Sequence, residues 1–154
     1  MTIERTDSGN SNFVMLTQLL DSELDERDNA AHTVCKQYNK SDTIKYVVLA
    51  YDTDKAVGCG AIRKYSEDTI EIKRMFVLDE YRKKGVASCI LNELEKWSKE
   101  LGSEFCILET GRKFPDAIKL YEKNGYSNIP NYGQYEHIES SICFQKKISL
   151  SNNV

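Results

Sequence analysis

Histidine and proline are scarce in this chain, two of each among 154 residues. His32 and His137 lie too far apart in sequence to suggest a metal site by themselves. The five cysteines, Cys35, Cys59, Cys89, Cys106 and Cys143, form no C-x-x-C pair and have no histidine at ligand spacing. No metal is expected. Cys59, Cys106 and Cys143 fall in strand-like stretches, and Cys89 opens a helix among apolar residues. All read as small buried hydrophobes of a reducing compartment rather than disulfides or a nucleophile. No apolar run approaches the length of a membrane span, and the amino terminus lacks the basic-then-apolar pattern of a secretory signal. A membrane partner is therefore not expected, and the cytoplasm is the default location. Excess positive charge is missing as well: the formal net charge is −3, which argues against a nucleic-acid binder that relies on bulk charge. Repeats and linkers are absent too. The expectation is one domain over residues 1–148, followed by a disordered polar tail over 149–154.

What is present concentrates in residues 69–88. Thr69 to Val77 alternates as a strand does, with Ile70, Ile72 and Phe76 offset from Glu71, Lys73 and Met75. Arg82-Lys83-Lys84-Gly85 then breaks the alternation, and Val86, Ile90, Leu94, Trp97 and Leu101 recur at helical spacing. A strand, a basic turn and a helix that opens on glycine bring several free backbone N–H groups and a helix dipole to one point. That arrangement suits phosphate.

Around this centre, Thr2 to Arg5 is a short first strand, and Ser11 or Asn12 caps a helix striped by Phe13, Leu16, Leu20 and Leu24. A second helical piece is expected over Ala30 to Tyr38. Residues 1–40 hold seven acidic and four basic side chains, whereas the rest holds seventeen of each sign. Asp21, Glu23, Asp25, Glu26 and Asp28 form either a solvated face or an attractor for a cationic amine. Thr43 to Tyr51 and Ala56 to Tyr65 form a hairpin in which Gly58 and Gly60 face one side and leave room for close approach. Further on come a helix from Gly85 to Leu101, an apolar strand from Phe105 to Thr110 and a helix from Asp116 to Asn124 behind Pro115. Strands at Tyr126 to Ile129 and Ile138 to Ile148 close the chain, around a turn-rich loop from Pro130 to Tyr135.

The pattern Arg82-x-x-Gly85-x-Ala87 between strand and helix resembles the acetyl-CoA pyrophosphate loop of the GNAT superfamily of N-acetyltransferases. A second match follows in order: Leu108-Glu109-Thr110, then Ala117-Ile118-Lys119-Leu120-Tyr121-Glu122-Lys123-Asn124-Gly125-Tyr126, similar to the family's A-x-x-LYEK-x-GF/Y segment. The resemblance spans about Val47 to Tyr126. It implies an α+β fold with a central, mostly antiparallel mixed sheet of six to seven strands, splayed at the fourth and fifth and flanked by about four helices.

It also implies acetyl transfer from acetyl-CoA to an amine. Met75, Phe76 and Val77 would pair with the pantetheine arm, and Arg82, Lys83, Lys84, Gly85, Val86, Ala87 and Ser88 would wrap the pyrophosphate. Tyr121 matches the tyrosine that protonates the departing thiolate, with a core aromatic as its structural counterpart. Glu71 stands where histone-acetylating members carry their base; an ordinary ion pair with Lys73 or Arg74 is the alternative. Its strand parity is expected to match Met75 and Val77. Phe114 occupies the place of an asparagine that often contacts the cofactor, so only backbone contact is expected there. Tyr132, Gln134 and Tyr135 are acceptor-site candidates. The implied acceptor is a small-molecule amine, with a protein lysine or amino terminus, or a non-catalytic acyl-CoA-binding module, as competing readings. A homodimer is compatible with the family.

Overall fold

The computed structural model describes residues 1–27 and 44–149. The expected helix over Ala30–Tyr38, Cys35 and the tail from 150 onward lie outside the described residues. Seven strands form one sheet in the order β1-β2-β3-β4-β5-β7-β6. They are β1 (Thr2–Thr6), β2 (Tyr46–Asp52), β3 (Lys55–Ser66), β4 (Thr69–Val77), β5 (Phe105–Gly111), β6 (Ser127–Ile129) and β7 (Ser141–Lys147). Helices α1 (Ser11–Arg27), α2 (Val86–Glu100) and α3 (Pro115–Lys123) complete the described architecture. Only β4 and β5 pair in parallel; the other neighbours are antiparallel. The mixed sheet anticipated from the resemblance is thus present, with three helices among the described residues.

The two faces of the sheet carry separate cores. On one, Ile70, Ile72, Val77, Val86, Ile90, Leu91 and Leu94 pack β4 against α2. On the other, Phe13, Leu16 and Leu20 of α1 cover Val47, Leu49, Cys59, Ala61 and Phe76. Burying these stripes is what holds each helix in place, since an isolated helix of this length is marginal in water. The cap of α1 is Asn10 rather than Ser11 or Asn12. Its Oδ1 accepts the Asn12 N–H at 2.8 Å and its carbonyl starts the helix by accepting from Val14. Strand β7 begins three residues later than the alternation suggested. Gly133–Tyr135 instead makes a tight 3-10 turn, and Ser141 N–H closes onto Ile138 O before pairing starts.

Gly58 and Gly60 do face one side, and α2 occupies the space. A Cβ on Gly58 would lie 2.9 Å from Ile90 Cδ1, and one on Gly60 would lie 2.8 Å from Leu94 Cδ1 and 2.6 Å from Met75 Sδ. Cys59, Cys106 and Cys143 are buried as expected, but Cys89 is exposed because the buried stripe of α2 runs through Val86, Ile90 and Leu94 instead.

One local irregularity positions everything that follows. Residues Cys59 and Ala61 of β3 pair with Phe76 and Lys73, so two residues of β3 span three of β4 and a bulge sits at Arg74. Arg74 takes φ +60°, a left-handed conformation that costs a non-glycine residue roughly 1–2 kcal/mol. Its guanidinium offsets the strain by donating to Thr17 O at 3.2 Å and to Asp21 Oδ1 at 2.9 Å. The bulge also overturns the expected parity. Glu71 and Lys73 lie on the α1 face of β4 together with Phe76, whereas Met75 and Val77 join Ile70 and Ile72 on the α2 face.

Candidate active site

Strands β4 and β5 pair only from Thr69↔Phe105 to Glu71↔Ile107 and then separate. A bulge bends a strand and raises its twist, so the parting beside Arg74 has a local cause. From Ile72 to Val77 the main-chain edge of β4 turned toward β5 therefore has no strand partner among the described residues. The gap widens into a cleft of about 930 Å³. Met75, Phe76, Val77, Arg82, Lys83, Gly85, Val86, Ala87, Ser88, Phe114, Tyr121 and Tyr135 line it, and Glu71 sits at its apex. Lys84, Tyr132 and Gln134 are not among the lining residues.

The turn at the wide end is built by backbone. Lys83 and Gly85 both have positive φ, +62° and +85°, and Gly85 caps α2. The first helical bond is Cys89 N–H to Gly85 O, so the N–H groups of Val86, Ala87 and Ser88 stand ahead of it without an intrahelical acceptor. The cationic side chains behave differently from expectation. Arg82 turns back into the protein: Nε donates to Val77 O at 2.8 Å, and Nη2 pairs with Glu23 Oε1 at 2.8 Å. Lys84 Nζ bends onto Glu80 O at 3.1 Å. Lys83 is exposed and lines the cleft, and Lys119 and Lys123, one helical turn apart on α3, line the opposite wall. The acidic cluster of α1 is likewise partly committed, Asp21 to Arg74 and Glu23 to Arg82.

At the apex, four side chains form one network, with Glu71, Lys73 and Tyr135 buried and Tyr132 half-buried. Tyr132 donates its hydroxyl to Glu71 Oε2 at 2.7 Å, and Lys73 Nζ donates to Tyr135 Oη at 3.1 Å. Glu71 Oε1 and Lys73 Nζ stand 3.9 Å apart, longer than a hydrogen bond. The Glu71–Lys73 ion pair weighed from the sequence is thus present, loosely, beside a much shorter bond from Tyr132. Burial drives the Lys73 pKa below its ordinary value, opposed by the charge of Glu71. Tyr132 is pushed up, first by burial and then by the neighbouring carboxylate of Glu71. Tyr65 and Tyr135 stack edge-on against Tyr132, with ring centres 5.3 and 5.7 Å away, and hold it over Glu71.

Tyr121 is buried between Tyr126 and Phe144, at 5.9 and 6.2 Å, and still reaches the cleft. Burial and then Glu109 raise its pKa, so the phenol keeps its proton at neutral pH. Glu109 itself accepts from Ser141 Oγ at 2.6 Å. The role of Lys73, Arg74 and Glu109 as cleft residues was not anticipated from the sequence. The available signal was three charged residues, Glu71, Lys73 and Arg74, inside an otherwise apolar strand. Among the described residues no group of histidine, cysteine and carboxylate side chains has the geometry to hold a metal ion. No described helix is long and apolar enough to cross a membrane.

A sequence profile of the acetyltransferase (GNAT) family matches residues 13–126, which include both walls of this cleft. The chain belongs to that family. Among its relatives, the uncharacterised N-acetyltransferase YsnE of Bacillus subtilis is 32% identical over 101 residues, 64% of this chain and 67% of that protein. The IAA acetyltransferase of Azospirillum brasilense is 29% identical over 151 residues, 96% and 98% of the two. The fold recurs in a crystal structure described as an acyl-CoA N-acyltransferase from Klebsiella pneumoniae. That structure has TM-score 0.80 and 25% identity, covering 96% of this chain and 97% of that one. An aminoglycoside 6′-N-acetyltransferase solved with coenzyme A shares the fold at TM-score 0.72 and 21% identity, over 99% and 100% of the chains. As a GNAT protein, this chain is an acyltransferase enzyme.

Proposed function

We infer that this GNAT enzyme takes the acetyl group of acetyl-CoA and passes it to the primary amine of a small molecule by direct attack in a ternary complex. One observation carries the reading: the edge of β4 that has no strand partner from Ile72 to Val77, with Val77 O taken by Arg82 Nε, is followed through a short turn by the N–H groups that begin α2. An extended pantetheine arm can add to that edge as a strand would, with its pyrophosphate at the helix terminus. Met75 and Val77 contribute main chain, and the turn from Lys83 to Ser88 contributes N–H groups. Lys83, Lys119 and Lys123 add positive charge, in place of the Arg82 and Lys84 side chains. The reading is of one cytoplasmic domain over residues 1–148, consistent with free thiols at Cys59, Cys106 and Cys143.

Glu71 takes the proton of the incoming ammonium through Oε1, because Tyr132 already occupies Oε2. The amine nitrogen then bonds to the acyl carbon, the carbon–sulfur bond breaks, and Tyr121 supplies a proton to the leaving sulfur; the second proton shed by the nitrogen as the amide forms restores the phenol by way of solvent. A main-chain N–H near Met75 faces the oxyanion. The balance is an alkylammonium and acetyl-CoA in, and an N-acetyl amine, free coenzyme A thiol and one proton out.

Acetyl-CoA at a hundredfold excess over its Kd should stabilise the protein by about 2.7 kcal/mol, or roughly 5–10 °C for a domain of this size. Gly85→Glu should abolish the shift. Its side chain has open space, since a Cβ there meets nothing within 4 Å, so the change costs only the left-handed backbone while setting a carboxylate against phosphate. A folded Gly85→Glu protein that keeps the full shift removes the turn from this reading.

A further inference from the structure

The bulge at Arg74 brings Lys73 and Arg74 onto the same face of β4, where two successive strand residues would otherwise point apart. Both are buried, at 6% exposure each, and both line the cleft beside Glu71. Arg74 has a structural use in its bonds to α1, but a purely structural account of Lys73 is weak. A buried ammonium is costly, and packed apolar residues commonly serve a fold as well or better. Lys73 carries three N–H donors, of which one is placed on Tyr135, and its nearest carboxylate oxygen is 3.9 Å away. Arg74 spends its Nη2 on Thr17 and Asp21, and its buried Nε has no hydrogen-bond partner among the described residues.

Both signs are present at this floor. Glu71, Glu109 and Arg74 stand around Lys73, and Asp21 answers Arg74. A simple alkylammonium at Glu71 would also meet the like charge of the Lys73 ammonium, 3.9 Å from that carboxylate. A molecule bearing both signs one carbon apart would find each answered, because the Glu71 and Lys73 heads are adjacent and only loosely paired, with no hydrogen bond between them.

We propose that the acceptor is a zwitterion, an α-amino acid whose amine is met by Glu71 and whose carboxylate is met by Lys73, with Arg74 behind it. This rests on the acetyl-transfer reading above and narrows its substrate class. Glu71 then holds the reacting nitrogen, while Lys73 fixes the orientation by binding a group one carbon away. Tyr132 and Tyr135, packed edge-on, hold one head each, Glu71 and Lys73 respectively.

The test is thiol release from acetyl-CoA with the standard L-amino acids, each matched with its own carboxamide. An α-amino group in a peptide-like setting has a pKa near about 7.7, so the amide's amine is readily deprotonated and chemistry alone favours the amide. The proposal expects at least one amino acid to exceed its amide roughly 10-fold or more in kcat/KM. Lys73→Met should then lower that ratio by about 10- to 100-fold, the worth of a hydrogen bond to a charged group. Because the ratio compares two substrates on one protein, a general loss of stability does not move it. Amides turned over as well as or better than amino acids by the wild type overturn the proposal and leave acetyl transfer standing. A ratio unmoved by Lys73→Met overturns it as well. No turnover of either set, with the acetyl-CoA thermal shift intact, also rejects the α-amino acid and leaves cofactor binding standing. Loss of that shift is instead the failure of the underlying reading.

Discussion

Glu71→Gln is the sharpest probe of the apex. The substitution is nearly isosteric, and the amide oxygen can still accept the 2.7 Å bond from Tyr132. What disappears is the negative charge and the oxygen facing Lys73 at 3.9 Å. Two effects follow, and their sizes separate them. Removing the counter-charge of a buried ammonium should cost roughly 1–3 kcal/mol, a fall in Tm of about 2–12 °C for a domain of this size. Removing a positioned base should lower turnover by roughly 10²–10⁴-fold at neutral pH. The first effect is a matter of folding, and an assay performed well below the variant's Tm does not see it. A pH–rate profile of kcat/KM for both proteins, with one acceptor and saturating acetyl-CoA, reads the second. The deficit should shrink as pH rises, because more acceptor amine arrives already deprotonated and needs no base. A Tyr132→Phe companion keeps the carboxylate and removes the donor that orients it, so it should show a smaller deficit than Glu71→Gln. A Glu71→Gln profile that overlays the wild type, in a protein with lowered Tm, would reduce Glu71 to the ion-pair partner of Lys73 and hand proton removal to water.

Tyr121→Phe should lower turnover far more than it weakens acetyl-CoA binding, since the ring still fills its place between Tyr126 and Phe144 while the proton donor is lost; equal losses, measured by kcat and by Kd, would make it a packing residue. Gly60→Ala should destabilise by roughly 1–3 kcal/mol, because its methyl would fall 2.6 Å from Met75 Sδ and 2.8 Å from Leu94 Cδ1. It should also weaken acetyl-CoA binding, because Met75 must shift at the open edge of β4; thermal melts with and without acetyl-CoA read both, and an unchanged ligand shift would dissociate Met75 from the cofactor site.

The sequence alone was enough for whatever depends on near neighbours. The basic turn ending at Gly85, the stripe of α2 and the span of β4 from Thr69 to Val77 are local patterns, and their spacing specifies backbone conformation directly. The family resemblance rests on the same kind of signal, short motifs in fixed order, and the profile match over residues 13–126 agrees with it. Tyr121 belongs to this class, since its motif places it on the helix face that meets the cleft.

Tertiary structure decided the rest. A period-2 reading has no means of registering one extra residue in a strand, and the bulge at Arg74 moved Glu71 to the face opposite Met75 and Val77. The same bulge made Lys73 and Arg74 neighbours on one surface, although their order in the chain says they should diverge. Arg82, the cation that helped mark the phosphate turn, is drawn inward because Glu23, 59 residues earlier, lies within 2.8 Å once α1 has packed. Tyr132 and Tyr135 reach Glu71 and Lys73 across 61 and 62 residues of chain. Local sequence sets which conformations each segment can adopt, but side chains so far apart are brought together only by the packing of the whole sheet. In this protein that packing assembles the buried charges at the apex of the cleft.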